Sequence, residues 1–301
     1  VKWYFAIDEA GALSDTGEDA KTAVRTAAGF GQLQPHLLYY GARNEFTAWM
    51  QAHGVTVIDA APAFLDTIQA TQAAGIYAAH SIGHWLRVVL PAVEPTADFV
   101  LYTDCDVVFL KSVNWQAIRP KVLAAAPEFK KDNWNYFNAG VMVVNIPALR
   151  ASYPAFEALI RARMEDAGDY HNYDDQFAFN EAYLGHWDRL GLALNWKPYW
   201  GFNAGAAVLH FHGPKLQALA SIAGGDWHAD NATAIQLAKM LDLHLEAYIA
   251  WAGMLGDHLQ SSDIAKALQF GQLAASLIRY RNAKPREIID GSFMNFCMFG
   301  K

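Results

Sequence analysis

Cysteine is almost absent: Cys105 and Cys297 are the only two in 301 residues, far apart and without the spacing of a metal-binding pair. Two thiols do not make a disulfide framework, so the chain reads as a protein of a reducing compartment, the cytoplasm. Basic residues are also scarce, 23 Lys and Arg against 30 Asp and Glu, for a formal net charge of −7. A surface built to hold a nucleic-acid backbone needs the opposite balance, so nucleic acid is excluded as a partner. Long apolar runs are missing as well; none approaches the ~20 residues that cross a bilayer. There are no repeats and no low-complexity stretches. The opening VKWYFAIDEAG has a lysine but no long apolar stretch, so it reads as a first core strand rather than a secretion signal.

What the chain does have is apolar mass, 53% of its residues, enough to bury a large core. Its first two-thirds alternates short β-like runs with longer helical ones. Strands are predicted over 3–7, 36–40, 55–58 and 99–103, and helices over 20–28, 44–53, 63–73 and 81–90. Such alternation argues for an α/β sheet of largely parallel strands, with ligands held beyond the carboxyl ends of the strands. A strand-like run with a glycine follows over 135–146, then helices over 151–164 and 174–183. An aromatic loop spans 196–205, and one more strand runs over 206–213. From about Asp226 the sequence looks wholly helical and ends in a basic, aromatic tail: Arg279, Tyr280, Arg281, Lys284, Arg286, Phe293 and Phe296. We place a boundary near Gly224–Gly225, giving a catalytic domain over 1–223 and a helical subdomain over 224–301. The ten tryptophans and thirteen tyrosines could stack on sugar rings, although large aromatics most often fill cores.

The stretch FVLYTDCDVVFL, residues 99–110, carries the strongest chemical signal. A buried-strand pattern breaks for Asp104 and Asp106 and then resumes at once. Two carboxylates so close repel each other and resist burial unless a cation neutralises them or one stays protonated. Asp8 ends the first strand in the same way, and His210 and His212 alternate at the end of the last one, facing one side. Two carboxylates and an imidazole suit Mn²⁺, or Mg²⁺ in its place, better than zinc. A set with so few protein ligands leaves positions for substrate oxygens, most naturally those of a diphosphate. Gly213, Pro214 and Lys215 follow directly, adding a turn and a cation within reach of phosphate.

These segments resemble the retaining glycosyltransferases of family 8, a GT-A family with a mixed, Rossmann-like sheet flanked by helices that includes glycogenin-like and bacterial lipooligosaccharide galactosyltransferases. The resemblance covers roughly 1–215 and rests on FAIDEA, SIGHWLRVVLP, LYTDCDVVF, YFNAGVMVVN, DDQFAFN and HFHGPK in that order. It implies a metal-dependent, retaining transfer of a hexose from a UDP-sugar to the hydroxyl of a glycan, glycolipid or other acceptor, in bacterial surface glycan synthesis. Asp104, Asp106 and His210 would hold Mn²⁺. Asp8 would read the base, Arg87 and Asn138 would contact the donor, and Lys215 the phosphate. Asp175 and Gln176 would lie at the anomeric carbon, Gln176 supporting the developing positive charge through its carbonyl dipole.

The chain departs from the family pattern at two places. Lys215 comes early and is followed by Leu216–Gln217 instead of a Lys-Pro-Trp. Phe177 stands after Asp-Gln where some members have a second acid, which excludes a mechanism using a carboxylate there. The helical segment over 224–301 matches nothing in the family. Its tail could reach the inner face of a membrane holding a lipid-linked acceptor, or could simply pack on the core. Two rival readings remain at this point. A haloacid dehalogenase-type phosphatase also uses Asp-x-Asp, but on its first strand; a non-catalytic carbohydrate-binding protein has no need of an ionic diphosphate clamp.

Overall fold

The computed structural model describes residues 1–76, 82–166, 173–226 and 232–283. A seven-stranded sheet forms its centre. β1 (Lys2–Asp8) pairs in parallel with β2 (Gln34–Tyr40) on one side and with β4 (Phe99–Thr103) on the other, and β3 (Thr56–Asp59) extends the sheet beyond β2. Helices α1 (Glu9–Ala12), α2 (Asp15–Ala28), α3 (Glu45–Ala52) and α4 (Leu65–Ala73) make the crossovers. Their starts are set by side chains that satisfy otherwise orphaned N–H groups: Ser14 caps α2, and Asn44 with Thr47 forms a capping box on α3.

The helix that the sequence predicts over 81–90 does not form as one element. α5 (Ile82–Trp85) and α6 (Leu90–Val93) are separated by a 3-10 turn at Leu86–Val89. Pro91 has no N–H to offer the Arg87 carbonyl, which takes the Leu90 N–H in the tighter pattern instead. That turn buries Arg87 on the inner side.

Beyond β4 the sheet turns antiparallel. β7 (Phe137–Asn145) runs against β4 and against β6 (Leu123–Pro127), and the two-residue β8 (Asp188–Arg189) closes the far edge. After Asp106 the chain leaves this sheet and enters a small second one, where β5 (Val107–Phe109) pairs with β9 (Val208–His210). The run 99–110 is therefore two strands in two sheets, and the paired aspartates occupy the joint. α7 (Ile146–Glu165) and α8 (Asp175–Ala182) pack on the main sheet, α8 capped by the Asp174 carboxylate at the Phe177 N–H (2.7 Å).

α9 (Leu216–Gly224) starts immediately after Lys215 and is followed by α10 (Ala232–Leu243), α11 (Leu245–Leu259) and α12 (Ile264–Ala283). These helices share one core with β5, β9 and the aromatic loop, through Val108, Trp196, Tyr199, Trp200, Leu209 and Phe211. The loop's rings are thus largely core. Ion pairs Lys266–Asp19 (2.9 Å) and Arg25–Asp263 (2.5 Å) tie α12 to α2. Tyr280 donates to Asp242 and Arg281 pairs with Glu246, so this part of the basic, aromatic tail packs within the helical layer. Lys284, Arg286, Phe293, Phe296 and Cys297 lie outside the described residues, as does Ser81. Among the described residues no helix is long and apolar enough to cross a membrane.

At the end of the sheet opposite the aspartates, fully buried Glu94 accepts from Lys2 Nζ (2.8 Å), the Tyr4 hydroxyl (2.5 Å) and the N–H groups of Thr96 and Ala97 (both 2.7 Å). It locks β1 to the approach of β4. Burial raises its pKa, but these donors outweigh burial and hold it down at about 2. A carboxyl held low contributes stability above its unfolded value of 4.5 and loses it as pH falls through about 2. Glu94→Gln should therefore lower the unfolding free energy by about 3 kcal/mol near neutral pH. In urea titrations the gap to wild type should shrink steadily as pH falls below 4.5.

Candidate active site

β1 and β4 are parallel neighbours, so Asp8 and Asp104 emerge at the same edge of the sheet. The Asp104 N–H continues the ladder to the Gly140 carbonyl (2.8 Å) before the chain turns away. Cys105 is a buried free thiol that faces the Ala6 carbonyl (3.3 Å) and pins the joint to β1. Register in the small sheet sets Val107 opposite His210, which brings His210 beside Asp106. One oxygen from Asp104, one from Asp106 and a nitrogen of His210 then lie within 4.8 Å of one another.

Gly140 lies behind this cluster. A Cβ there would sit 2.2 Å from His210 Cε1 and 2.6 Å from Asp104 Oδ2, so only glycine leaves the carboxylate and the ring their places. A glycine inside an otherwise apolar strand is the kind of sequence feature that marks such an approach. The donor set, two carboxylate oxygens and one imidazole nitrogen, fits Mn²⁺ or Mg²⁺.

The charge of the pair is balanced from within the chain. Lys215 Nζ bonds Asp106 Oδ2, and His210 Nε2 is 3.3 Å from Asp106 Oδ1. Burial pushes the Asp106 pKa up, but the Lys215 cation, first among the groups that oppose it, holds the carboxyl well below its usual range. Burial also pushes the His210 imidazole down, which favours the neutral ring that ligates a metal.

Arg87, 7% exposed, is the other cation of the site. Its Nη2 meets Asp104 Oδ1 (2.9 Å), its Nη1 donates to the Ala139 carbonyl (2.8 Å), and its plane lies 5.0 Å from the Tyr102 ring centroid. Its Nε is 2.7 Å from Asp175 Oδ2, an ion pair without hydrogen-bond alignment, because the Nε–H is directed at the His84 carbonyl. Burial therefore dominates at Asp175 and raises its carboxyl to about 6 despite the adjacent guanidinium.

Both ends of the Gln176 amide are engaged. Its Oε1 accepts from Asn138 Nδ2 (3.0 Å) and the Ala139 N–H (2.9 Å), and its Nε2 donates to Glu128 Oε1 (2.7 Å). Asp8 accepts the Gly11 and Gly83 N–H groups (2.9 and 3.0 Å), which ties the end of β1 to α1 and α5. His212 is on another errand: it meets Glu128 (3.2 Å) and the Tyr199 hydroxyl (2.8 Å), and no carboxylate of the paired aspartates.

No family model and no curated protein sequence matches the chain. Solved structures do. Galactosyltransferase LgtC in complex with donor and acceptor sugar analogues superposes with a TM-score of 0.57 at 18% identity, over 95% of this chain and 98% of LgtC. An active-site mutant of LgtC gives 0.56 at 18% identity, over 80% of this chain and 95% of that one. The glycosyltransferase GlyE of Streptococcus pneumoniae gives 0.55 at 14% identity, over 96% of this chain and 66% of GlyE. The fold is that of the GT-A glycosyltransferases.

Within that GT-A fold, three residues of the site escape a reading of the sequence. Glu128 follows directly on β6, but LAAAP is rich in alanine and carries no strand signal. Asn195, fully buried, is hydrogen-bonded to both Asn138 and His210 and gives no sign of this in the stretch LALNWKP. Lys197 is fully buried too; its Nζ donates to the Pro127 carbonyl (2.7 Å) over the Trp200 ring, and burial drives its pKa well down.

Two expectations follow from the geometry. Gly140→Ala should cost at least about tenfold in Mn²⁺ affinity, because the new Cβ displaces either His210 or Asp104; titration of the metal alone, by electron paramagnetic resonance, reads this. Asp175 gives a pH signature in metal-free protein. A carboxyl whose folded pKa is raised contributes stability below its unfolded value of 3.8 and loses it as pH rises through about 6. Asp175→Asn cannot ionise, so it should gain about 2–3 kcal/mol on wild type between about pH 4 and pH 7. Urea unfolding in the presence of a chelator checks the sign.

Proposed function

We propose that this protein is a glycosyltransferase that moves a hexose from a UDP-sugar to an acceptor hydroxyl on a glycan or glycolipid, with retention of anomeric configuration, in bacterial surface glycan synthesis. The observation that carries this reading is the convergence of Asp104, Asp106 and His210 at the carboxyl edge of a GT-A sheet. These residues would hold Mn²⁺, or Mg²⁺, which when bound supplies neutralisation of a diphosphate leaving group.

The chain's own groups do the rest. Asp8 is fixed at the end of β1, where it would face the base. Lys215, half exposed and bonded through Nζ to Asp106, would meet a phosphate oxygen. Arg87 orients Asp104 and Asp175 together, so the metal-binding carboxylate and the start of α8 keep one spacing. Asp175 is pressed against that guanidinium and buried at 4% exposure, a poor setting for a nucleophile. This supports a route in which the acceptor attacks on the face that UDP leaves, its proton passing to a phosphate oxygen. Asn138 and Gln176 lie side by side along β7 and α8, where they would line the donor-sugar pocket.

The decisive experiment incubates the protein with a panel of UDP-sugars, Mn²⁺ and candidate acceptors, and follows UDP release and the first-formed product by NMR. A retained linkage is expected. Asp106→Asn should lower turnover at least about a thousandfold, since it removes charge from the ion's own ligand, while leaving the fold intact. Full activity in that variant, or an inverted product, would refute the reading.

A further inference from the structure

Between α8 and the metal-ligand cluster, buried and half-buried polar side chains form one unbroken chain of hydrogen bonds. Gln176 Nε2 donates to Glu128 Oε1 (2.7 Å), Asn138 Nδ2 to Gln176 Oε1 (3.0 Å) and Asn195 Nδ2 to Asn138 Oδ1 (3.0 Å). Asn195 Oδ1 then meets His210 Nδ1 at 3.0 Å. An amide can be turned end for end without changing its shape, so the direction of the chain has to come from its neighbours.

Those neighbours leave one solution. Burial raises the Glu128 pKa, but His212 and Gln176 outweigh it and keep the group ionised, so Glu128 only accepts. Gln176 must therefore turn its NH₂ to Glu128. Two main-chain donors pin the carbonyls: the Ala139 N–H on Gln176 Oε1 (2.9 Å) and the Gly140 N–H on Asn138 Oδ1 (3.2 Å). Asn195 has to give its NH₂ to the pinned Asn138 carbonyl, which leaves its own carbonyl for His210. A carbonyl only accepts, so Nδ1 of His210 carries the proton. In the neutral ring the bare nitrogen is then Nε2, which faces Asp106 Oδ1 at 3.3 Å and Asp104 Oδ2 at 3.7 Å.

We propose that Asn195 directly, and Glu128 through Gln176 and Asn138, are positioning residues of the metal site that hold His210 as the tautomer with Nδ1 protonated and Nε2 free to ligate. The use of that tautomer rests on the metal reading given above. Asn138, Asn195 and His210 are all at most 2% exposed, so the aligned amide dipoles act in a water-poor interior, with a negative charge at their far end. Gln176, assigned to the donor sugar, is thereby coupled to the metal ligand.

The test is nitrogen-15 NMR of histidine-labelled, metal-free protein at a pH where His210 is neutral, with Mn²⁺ titrations of the same samples without nucleotide. Wild type should show the Nδ1-protonated form. Asn195→Ala should mix the tautomers and weaken Mn²⁺ about 10- to 100-fold. Asn195→Asp, whose carboxylate still accepts from Nδ1 but offers the pinned Asn138 carbonyl no donor, should restore the tautomer. Glu128→Gln should keep the tautomer but weaken Mn²⁺ severalfold. An Nε2-protonated ring in wild type overturns the proposal, and so does unchanged Mn²⁺ affinity in both Asn195→Ala and Glu128→Gln. If Asn195→Ala does not fold, the wild-type spectrum and Glu128→Gln decide. Absence of any Mn²⁺ binding by wild type would remove the metal reading, and the tautomer would still decide the relay.

Discussion

The guanidinium of Arg87 holds two carboxylates that the chain delivers from separate places, Asp104 from the end of β4 and Asp175 from the start of α8. Asp175, buried at 4% exposure, would cost several kcal/mol or take up a proton more readily still without that cation. Arg87 itself is admitted because its nitrogens find Asp104, Asp175 and the Ala139 carbonyl, and its face finds Tyr102. The 3-10 turn before Pro91 delivers it there. The spacing between the edge that carries Asp104 and the start of α8 is thus set by one cation.

A second constraint is the joint between the two sheets. The main sheet supplies Asp104, the small sheet supplies His210, and Asp106 belongs to the turn between them. The small sheet stays in place because its other face packs into the core of the C-terminal helices. α12 is in turn tied to α2 by Lys266–Asp19 and Arg25–Asp263. The C-terminal helices therefore act on the site from behind, through the strand that carries His210.

Most of the parallel half of the fold is legible in the sequence, because buried strands with β-branched and aromatic residues and capped helices announce themselves. The antiparallel half is less so. β6 is alanine-rich, β8 is two residues long, and α9 begins at Leu216, ahead of the helical stretch read from about Asp226. Within the site, Asp8, Asp104, Asp106 and His210 are visible as polar groups at strand ends. Glu128 and Asn195 are not, because their significance lies in partners 48 and 15 positions away in the chain. Gly140 falls between: a glycine in a buried strand signals close approach, but only the fold names His210 and Asp104 as what approaches.

The account turns on whether Asp104, Asp106 and His210 bind one divalent ion. The most direct measurement is anomalous diffraction at the manganese edge from crystals grown with Mn²⁺ and UDP. The expected result is a single strong peak in contact with an oxygen of each aspartate and Nε2 of His210. A fully occupied peak elsewhere, or none at this cluster while UDP is clearly bound, would contradict it.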